Sequence, residues 1–514
     1  MALTATIIIL LTNVIASQKL LVIAQNNNYT LSFSRATKRR CFLIILTYIP
    51  LLFLCIAHRF VLQIDAFLIA RLSYAIVWSM AFFIIFITEK YRYKFTKRGI
   101  VAYILANVIN IILTIGLVTV MQIFAKDYTC FCETAAILIT PFSYGITLFV
   151  INPYYIKKND AFIREQIKKL NSIKPIKIAI TGSFGKTGCK NILTSLLLKK
   201  YRVYATQGNY NTPMGIALAI KEMPTNTEVF IMEFGARKKG DIAELCKLYE
   251  PDYGIIVGVT GQHLETFGSV SNVAREKCEL ANFIEKNCGL VVYNADDELL
   301  SELLLDKNCC LSVGNSEDDD VFVSNVTESY DKTTFSIEVL SCVNDYETRL
   351  LGEHNAKNIA LCVAMATNIT KEYADFSTEI SGLTPSEHRL QYLFLNGIHI
   401  IDDGYNANII GVKNAIKILS LFPNKKIIVT QGIVEAGKLT KKINMEIGKE
   451  VASVVDVAVC CGVNARLIIK GLRQARFSGE IIKCKDTGGA VKIMSKILTA
   501  GDAVLLQNDV PDFY

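Results

Sequence analysis

The stretch that decides the fold is residues 176–187, IKIAITGSFGKT, in which an apolar strand runs into a glycine-rich loop. Glycines let successive backbone amides curl around phosphate oxygens, and the amino terminus of a following helix adds a favourable dipole. In such loops a lysine reaches the outer phosphates and the neighbouring hydroxyl holds Mg²⁺. Position 180 is Ile, so the spacing departs from the common G-x-x-x-x-G-K-[ST] pattern. The sequence still predicts a phosphate-binding loop at Gly182, Ser183, Gly185, Lys186 and Thr187.

Around this loop, short apolar runs alternate with amphipathic stretches from Pro153 onward. Such alternation predicts parallel sheets covered by helices. About 340 residues are too many for one such domain. We therefore predict a central domain over 172–381 and a C-terminal domain over 382–514, with the boundary near 381–386. The strand-like runs are Ile176–Ile180, Val229–Met232, Gly254–Val259, Gly289–Tyr293, Ile398–Ile401, Lys426–Val429, Val455–Cys460 and Ala503–Gln507.

Single polar residues follow two of these strands. Glu233 closes the run VFIME, and His263 follows the run GIIVGVTGQH. Ligands of open α/β sheets bind at the carboxyl ends of the strands, where a carboxylate and an imidazole could hold a second divalent metal. Taken alone, His263 fits a structural histidine equally well, and Lys277 reads as an exposed lysine of the helix Val273–Leu280.

The amino-terminal third is far more apolar than the rest. The whole chain of 514 residues is 51% hydrophobic and 20% charged, with a mean hydropathy of +0.34, which predicts that part of it lies in lipid. We predict a bundle of about five transmembrane helices over residues 1–152. The apolar runs lie at 3–24, 41–57, 66–88, 100–124 and 134–151.

The basic residues are also concentrated there. Residues 1–170 contain 18 Lys and Arg against 6 Asp and Glu, whereas the remainder is slightly acidic. Nine of these cations lie between the first and second runs or between the third and fourth, whereas the other two connecting segments contain few. This pattern predicts an N-terminus outside and places everything after the fifth span in the cytoplasm. The pattern predicts no nucleic-acid partner. Arg71 lies inside the third run, where a snorkelling structural role is favoured over a functional one, such as a transport path.

Eight motifs in the second part of the chain resemble those of the Mur ligase family and come in the same order. Within that family, the sequence resembles the MurF type most. The resemblance covers about residues 172–514, and it implies a P-loop central domain and a Rossmann-like C-terminal domain. The motifs are TGSFGKT (181–187), GNYNTPMG (208–215), MEFGARKKGDI (232–242), GQHLETFGS (261–269), NADD (294–297), GEHNAKNIA (352–360), HRLQ (388–391) and DDGYNAN (402–408).

The resemblance implies an ATP-dependent ligase of cell-envelope and peptidoglycan precursor synthesis. In such enzymes ATP phosphorylates a substrate carboxylate, and an incoming amine displaces phosphate to form an amide. Lys186 and Thr187 would serve the phosphates and Mg²⁺, and Glu233 and His263 would hold metal. Lys277 aligns with a lysine that is carbamylated in many members and helps to hold a second Mg²⁺. Lys186, His263 and Lys277 are therefore the expected catalytic residues.

The remaining roles that the resemblance implies concern substrate and nucleotide. Asn209 and Asn211 lie in the segment associated with substrate, and Asn358 is expected to approach the adenine. Closure of the C-terminal domain over the nucleotide is expected to complete the site and to exclude water. The residues expected to close are Arg389, Asp403 and Tyr405.

The sequence also departs from the family pattern. The MurF type begins with a small domain that holds a UDP-sugar, and the predicted spans take its place here. TQGIVEAG (430–437) replaces a loop that usually ends in acidic residues. The expected partners are a cell-wall precursor acid, an amino acid or dipeptide amine, and membrane lipid; the oligomeric state is not predicted. The expected location is a bacterial cytoplasmic membrane, crossed several times, with the ligase domains facing the cytoplasm. A lipid-linked substrate, a poly-glutamate substrate and a nucleotide-binding scaffold without ligase activity remain alternatives.

Overall fold

The computed structural model describes residues 96–124, 129–208, 210–260, 264–371, 375–385, 387–405, 409–434 and 439–510. The chain divides near residue 160 into two compact units, which are described separately. The first contains helix α1 (Lys97–Phe124) and most of the long helix α2 (Thr129–Ile173).

In the first unit the two helices share a small apolar core. Ala102 and Ala106 of α1 are buried with Tyr144 and Leu148 of α2. The Arg98 Nη2 atom donates a 2.7 Å hydrogen bond to the Asn152 Oδ1 atom. Elsewhere large apolar side chains are exposed on both helices, among them Ile104, Ile112, Ile115, Ile123, Phe149 and Val150.

The predicted membrane bundle is not supported. The runs 3–24, 41–57 and 66–88, with Arg71, lie outside the described residues, whereas 100–124 falls on α1 and 134–151 falls within α2. In the described part of the chain, no helix is both long enough and apolar enough to cross a membrane. Helix α2 also runs without a break through Pro153 and the charged stretch after it, so the predicted end of the fifth span is not a helix end.

The second unit begins with a nine-stranded sheet in the order β2-β3-β1-β4-β5-β6-β7-β8-β9. Its strands are β1 (Ile176–Thr181), β2 (Val203–Ala205), β3 (Val229–Phe234), β4 (Tyr253–Ile256), β5 (Leu290–Asn294), β6 (Cys310–Gly314), β7 (Val321–Glu328), β8 (Thr333–Val339) and β9 (Cys342–Thr348). Its helices are α3 (Lys186–Leu197), α4 (Pro213–Glu222), α5 (Asp241–Tyr249), α6 (Leu264–Phe267), α7 (Val270–Lys286), α8 (Glu298–Leu304), α9 (Glu353–Thr370) and α10 (Ser377–Ser381).

Both faces of this sheet are covered. Ile178 and Ile180 of β1 pack into the core that contains α3 and α9, whereas Ala179 packs into the core that contains α4, α5 and α7. Alternate side chains of a strand point to opposite faces, so a strand covered on both sides must be apolar throughout. This explains why β1 and β3 read as continuous apolar runs, and why a polar residue at their ends is informative.

A second sheet follows, in the order β10-β11-β15-β12-β13-β14. Its strands are β10 (Gln391–Leu395), β11 (Ile398–Tyr405), β12 (Lys426–Thr430), β13 (Val457–Cys460), β14 (Glu480–Lys483) and β15 (Ala503–Val510). Its helices are α11 (Ile409–Ser420), α12 (Thr440–Ala452), α13 (Ala465–Gln474) and α14 (Thr487–Ile497). Alternate residues of β12 again enter two different cores, Ile428 on one face and Ile427 on the other.

The eight strands predicted from sequence are all present, and they pair parallel wherever they are neighbours, as predicted. The two sheets also contain antiparallel strands that the sequence did not predict. Strands β7, β8 and β9 pair antiparallel and extend the first sheet, and β10 pairs antiparallel with β11. Along β7, Val321 and Val323 are buried, whereas Asn325 and Thr327, at and after a register shift, are exposed. Such partly polar strands carry a weaker apolar signal than the parallel strands, which are buried on both faces.

The two sheets meet through the amino-terminal end of α9. Leu351, just before α9, packs in the core of the second sheet. The Lys417 Nζ atom of α11 lies 2.6 Å from the Glu328 Oε2 atom at the end of β7. The Asn414 Nδ2 atom of α11 lies 3.2 Å from the Nδ1 atom of His354 in α9.

Candidate active site

The loop between β1 and α3 has the backbone of a phosphate-binding loop. Gly185 caps α3 in the left-handed region, with φ of 74°. A Cβ atom at this glycine would lie 2.6 Å from the Val257 Cγ1 atom at the end of β4, so only glycine fits. The Ser183 amide donates a 2.8 Å hydrogen bond to the Gly258 carbonyl, which fixes the loop against that strand.

Lys186 and Thr187 form the first turn of α3. The Lys186 Nζ atom donates a 2.8 Å hydrogen bond to the Gly182 carbonyl, so the ammonium folds back over the loop. The Thr187 hydroxyl donates a 3.0 Å hydrogen bond to the Glu233 Oε2 atom at the end of β3. The parallel pairing of β1 with β3 brings these two ends to the same sheet edge.

Glu233 is buried, and its carboxylate has a second partner that the sequence analysis missed. The Lys190 Nζ atom lies 3.5 Å from the Glu233 Oε2 atom, and both side chains are 4% exposed. Burial lowers the pKa of Lys190, whereas the neighbouring Glu233 carboxylate raises it. A sequence signal existed, because Lys190 follows Lys186 by four residues and therefore shares its helix face.

Lys277 lies on α7 and is buried, rather than exposed as its isolated reading suggested. Burial, together with the positive charge of Lys186, lowers its pKa to about 7, although the neighbouring Glu276 carboxylate opposes this shift. The adjacent Glu276 accepts 2.8 Å hydrogen bonds from the amides of Gly240 and Ile242, which ties α7 to the start of α5. Glu276 is a second residue that the sequence analysis missed.

Asn211 contacts Gly235, two residues after Glu233. Its carbonyl accepts a 2.9 Å hydrogen bond from the Gly235 amide, and a Cβ atom at Gly235 would lie 2.8 Å from the Asn211 Cγ atom. Asn209 and His263 lie outside the described residues, and the side chain of Tyr405 is likewise not described. Their predicted roles stay predictions.

Asn358 of α9 is buried against the phosphate loop. A Cβ atom at Gly185 would lie 3.2 Å from the Asn358 Oδ1 atom. Helix α9 therefore contacts the loop directly, and one turn earlier the same helix meets α11 through His354. The predicted contact of Asn358 with adenine stays a prediction.

The C-terminal domain contributes a charged turn. The Asp403 Oδ1 atom accepts a 3.2 Å hydrogen bond from the Leu390 amide, and the Asp402 Oδ2 atom lies 2.7 Å from the His388 Nδ1 atom. Burial raises the pKa of Asp403 to about 6, although the positive charge of Arg389 opposes this. Arg389 also lowers the pKa of Lys190, so the turn acts electrostatically on the edge of the first sheet.

The oxygen donors fit one Mg²⁺ ion. Mg²⁺ prefers hard oxygen ligands, keeps several waters, and is commonly held by one carboxylate with substrate phosphates. The Thr187 hydroxyl and the Glu233 carboxylate supply such oxygens beside the phosphate loop. Across the described residues, no group of three or more His, Cys, Asp or Glu side chains could hold a metal without other ligands.

The fold and the site define a phosphate-loop α/β protein with a second, mostly parallel α/β domain. Residues 180–366 match the Mur ligase middle domain, and residues 388–507 match the Mur ligase, glutamate ligase domain. The chain therefore contains the middle and C-terminal domains of a Mur ligase.

Similar proteins carry consistent names. The chain is 30% identical over 274 residues to the UDP-N-acetylmuramoyl-tripeptide–D-alanyl-D-alanine ligase of Bacillus subtilis, which is 53% of this chain and 59% of that protein. It is 32% identical over 266 residues to the ligase of the same name from Buchnera aphidicola, covering 51% and 57% of the two chains. The chain thus spans less than two thirds of the length of these relatives.

Among solved structures, the MurF ligase of Thermotoga maritima in complex with ADP superposes with a TM-score of 0.62 at 26% identity. The match covers 68% of this chain and 80% of that one.

Proposed function

We propose that the protein is an ATP-dependent ligase that joins the carboxylate of a cell-envelope precursor to an amine. The observation that carries this proposal is the 3.0 Å contact between Thr187 of the phosphate loop and Glu233 at the end of β3. It places a hydroxyl and a carboxylate beside the lysine of the loop, inside the matched Mur ligase middle domain.

In this proposal the charge of each residue determines whether it binds phosphate or metal. Carboxylate and triphosphate are both anionic, so they must be brought together by fixed positive groups. Lys186 and the loop amides bind the phosphates, while Thr187 and Glu233 hold Mg²⁺, which neutralises further phosphate charge when bound. The carboxylate would be activated as an acyl phosphate, which the amine then attacks with loss of phosphate. Arg389, Asp403 and Tyr405 would close over the nucleotide.

We further propose that Lys277 is carbamylated. A pKa of about 7 leaves a substantial fraction of its amine neutral near neutral pH, and only the neutral amine attacks CO₂. Attack of the neutral amine on CO₂ forms an N–C bond and releases one proton, which leaves a carbamate anion; when the side chain starts as the ammonium, the proton lost in forming the amine is a second one. That anion could help hold a second Mg²⁺ ion together with His263. Incubation with ¹³C-bicarbonate should give a carbamate carbon resonance that a Lys277→Met variant lacks.

The substrates follow from the relatives' names. We propose a UDP-linked muramoyl tripeptide as the acid and D-alanyl-D-alanine as the amine, because the Bacillus subtilis and Buchnera aphidicola relatives are named for them. The altered segment 430–437 falls where the amine is expected, so a different amine is the main competing outcome.

The test is phosphate release by the purified full chain with ATP and Mg²⁺. UDP-linked and lipid-linked muramoyl peptides should be paired with single amino acids, glutamate among them, and with D-alanyl-D-alanine. A Lys186→Ala variant serves as the blank. Release with the UDP-linked acid supports the proposal as stated, and release only with a lipid-linked acid changes the substrate. Nucleotide binding without release under any pairing would instead favour a scaffold.

For location, we propose attachment to the bacterial cytoplasmic membrane through residues 1–152, with the ligase domains in the cytoplasm. Support comes from the sequence of the apolar runs 3–24, 41–57 and 66–88, which lie outside the described residues, and from the basic residues that flank them. Carbonate extraction of cell membranes should leave the full chain in the pellet. Its release into the supernatant would contradict the proposal.

A further inference from the structure

Lys190 is the one buried cation of the described phosphate-loop helix that the proposed reaction does not yet use. Its Nζ atom donates a 3.0 Å hydrogen bond to the Gly208 carbonyl and lies 3.5 Å from the Glu233 Oε2 atom. Lys186, one turn earlier, instead contacts the Gly182 carbonyl. Lys186 therefore contacts the phosphate loop, whereas Lys190 contacts the carboxylate at the end of β3.

Lys190 and a bound metal ion would compete for the same atom, Oε2 of Glu233. It already accepts the hydrogen bond of Thr187, and these two side chains are the proposed Mg²⁺ ligands. An ammonium and a divalent cation on the same carboxylate oxygen would repel each other strongly in a buried site. Metal binding at Glu233 therefore requires Lys190 to move away, and the flexible four-carbon stem of lysine permits this.

A space for the displaced ammonium exists. An open cavity of about 570 Å³ lies beside α3 and the end of β2. Its polar side chains belong to Thr187, Asn191, Thr194, Thr206 and Gln207, with Lys190 as the charged one. Among the described lining residues there is no carboxylate. A cavity lined by hydroxyls, amides and one ammonium is chemically suited to an anion.

We propose that Lys190 exchanges partners during the reaction. In the metal-free protein it neutralises Glu233, and when a divalent metal occupies Glu233 it turns into the cavity and binds the carboxylate of the acid substrate. The inference rests on the proposed function, and it assigns that cavity as the place where the acid end of the substrate enters. The Lys190 ammonium thus neutralises Glu233 before the metal binds and afterwards positions the substrate carboxylate that is phosphorylated.

The first experiment compares Lys190→Met with Lys199→Met in the full chain. Lys199 is a matched control because it lies on the surface, 70% exposed, with a single 3.3 Å contact to Glu379. Mn²⁺ binding in the presence of ADP is followed by electron paramagnetic resonance. Loss of the competing ammonium should tighten Mn²⁺ binding by about fivefold or more in Lys190→Met, because the buried Glu233 carboxylate then has no cation that the metal must displace. The control should bind as the parent does.

The second experiment measures steady-state constants. Lys190→Met should raise the KM for the acid by about tenfold, as expected for one lost charge-assisted contact, while the KM for ATP changes less than about twofold. A purely structural lysine would change both constants, or kcat alone. Mn²⁺ binding that is unchanged or weaker, or an unchanged KM for the acid, overturns the inference.

Gln207 provides a variant that does not disturb the buried pair. It is exposed on the cavity wall, so both charges should be tolerated there. Gln207→Glu should raise the KM for the acid and Gln207→Lys should lower it; equal constants would overturn the assignment of the cavity. If the parent releases no phosphate with any acid, the proposed function fails, and the Mn²⁺ titration still decides whether Lys190 competes for Glu233.

Discussion

In the middle domain Glu233 sits at the end of a strand whose residues are all buried, whereas in the C-terminal domain Asp403 lies on a strand with a register shift directly after it. Glu233 is held by its strand, and its partners come from a regular helix. Asp403 instead holds a turn in which His388 and Leu390 have positive φ values of 60° and 48°. A left-handed backbone at such residues costs roughly 1 kcal/mol each, so this turn depends on the side chains that stabilise it.

The two halves of the site should therefore differ in how they respond to pH. In the middle domain, strand and helix geometry sets the relative positions of Thr187 and Glu233. In the C-terminal domain, the protonation of Asp403 affects the turn that it holds, so this turn should respond to pH.

The largest effect is expected from Lys186→Ala. Removal of the loop cation leaves the phosphates without a fixed positive group, and loss of one such group typically costs about 100-fold or more in rate. Phosphate release with saturating ATP should fall by that factor, while the thermal unfolding temperature should stay close to that of the parent. Lys199→Ala is the control. An equal loss of phosphate release in Lys199→Ala would show that the effect is not specific to the lysine of the phosphate loop.

Asp403→Asn should separate activity from stability. Burial raises the pKa of Asp403 to about 6, above its ordinary value of 3.8. The stabilising effect of the protonated form is therefore present below pH 4 and is lost as the pH rises through 6. The amide keeps an oxygen for the Leu390 amide without the charge, so the variant should be more stable by roughly 1–3 kcal/mol at pH 8 and equal at pH 4.

Ligase activity of the same variant should fall about tenfold or more, because a group that orients the nucleotide is weakened. Urea unfolding at both pH values and steady-state kinetics check these two effects. A variant that is less stable at pH 8 would show that the ionised carboxylate stabilises the turn, contrary to the contrast drawn above.

His354 lies where the middle and C-terminal domains meet, and it should make the stability of this interface depend on pH. Burial lowers its pKa to about 4, from an ordinary value of 6.5. Its neutral form therefore contributes stability that is complete above pH 6.5 and is lost as the pH falls toward 4, by roughly 3 kcal/mol in total. The loss should be missing in His354→Gln, measured as the free energy of unfolding at pH 7.5, 5.5 and 4.5. Parallel curves for parent and variant would assign the pH dependence to other groups.

The sequence predicted the central site better than its connections. The phosphate loop, Glu233 and the buried parallel strands follow from local patterns, because a glycine turn and an unbroken apolar run each have few structural meanings. Lys190 could have been found from its four-residue spacing after Lys186. The burial of Lys277 could also have been found, because it lies four residues after Val273 and three before Leu280, on the apolar face of α7. Contacts such as that between His354 and Asn414 join residues sixty positions apart and leave no local signal.

The smallest effect concerns the ion pair that joins the two domains. The Lys417 side chain is 56% exposed, whereas that of its partner Glu328 is only 10% exposed and also accepts a 2.7 Å hydrogen bond from the Glu353 amide. Lys417→Met should therefore lower the free energy of unfolding by only about 0.5–1 kcal/mol. Lys413→Met is the matched control, since Lys413 pairs with Glu446 and Glu450 inside the C-terminal domain. Only the Lys417 variant should also raise the KM for ATP, by about twofold, because its pair, unlike that of Lys413, joins the C-terminal domain to Glu328, which accepts the Glu353 amide at the start of α9. Equal KM values in the two variants would show that this link does not reach the nucleotide site.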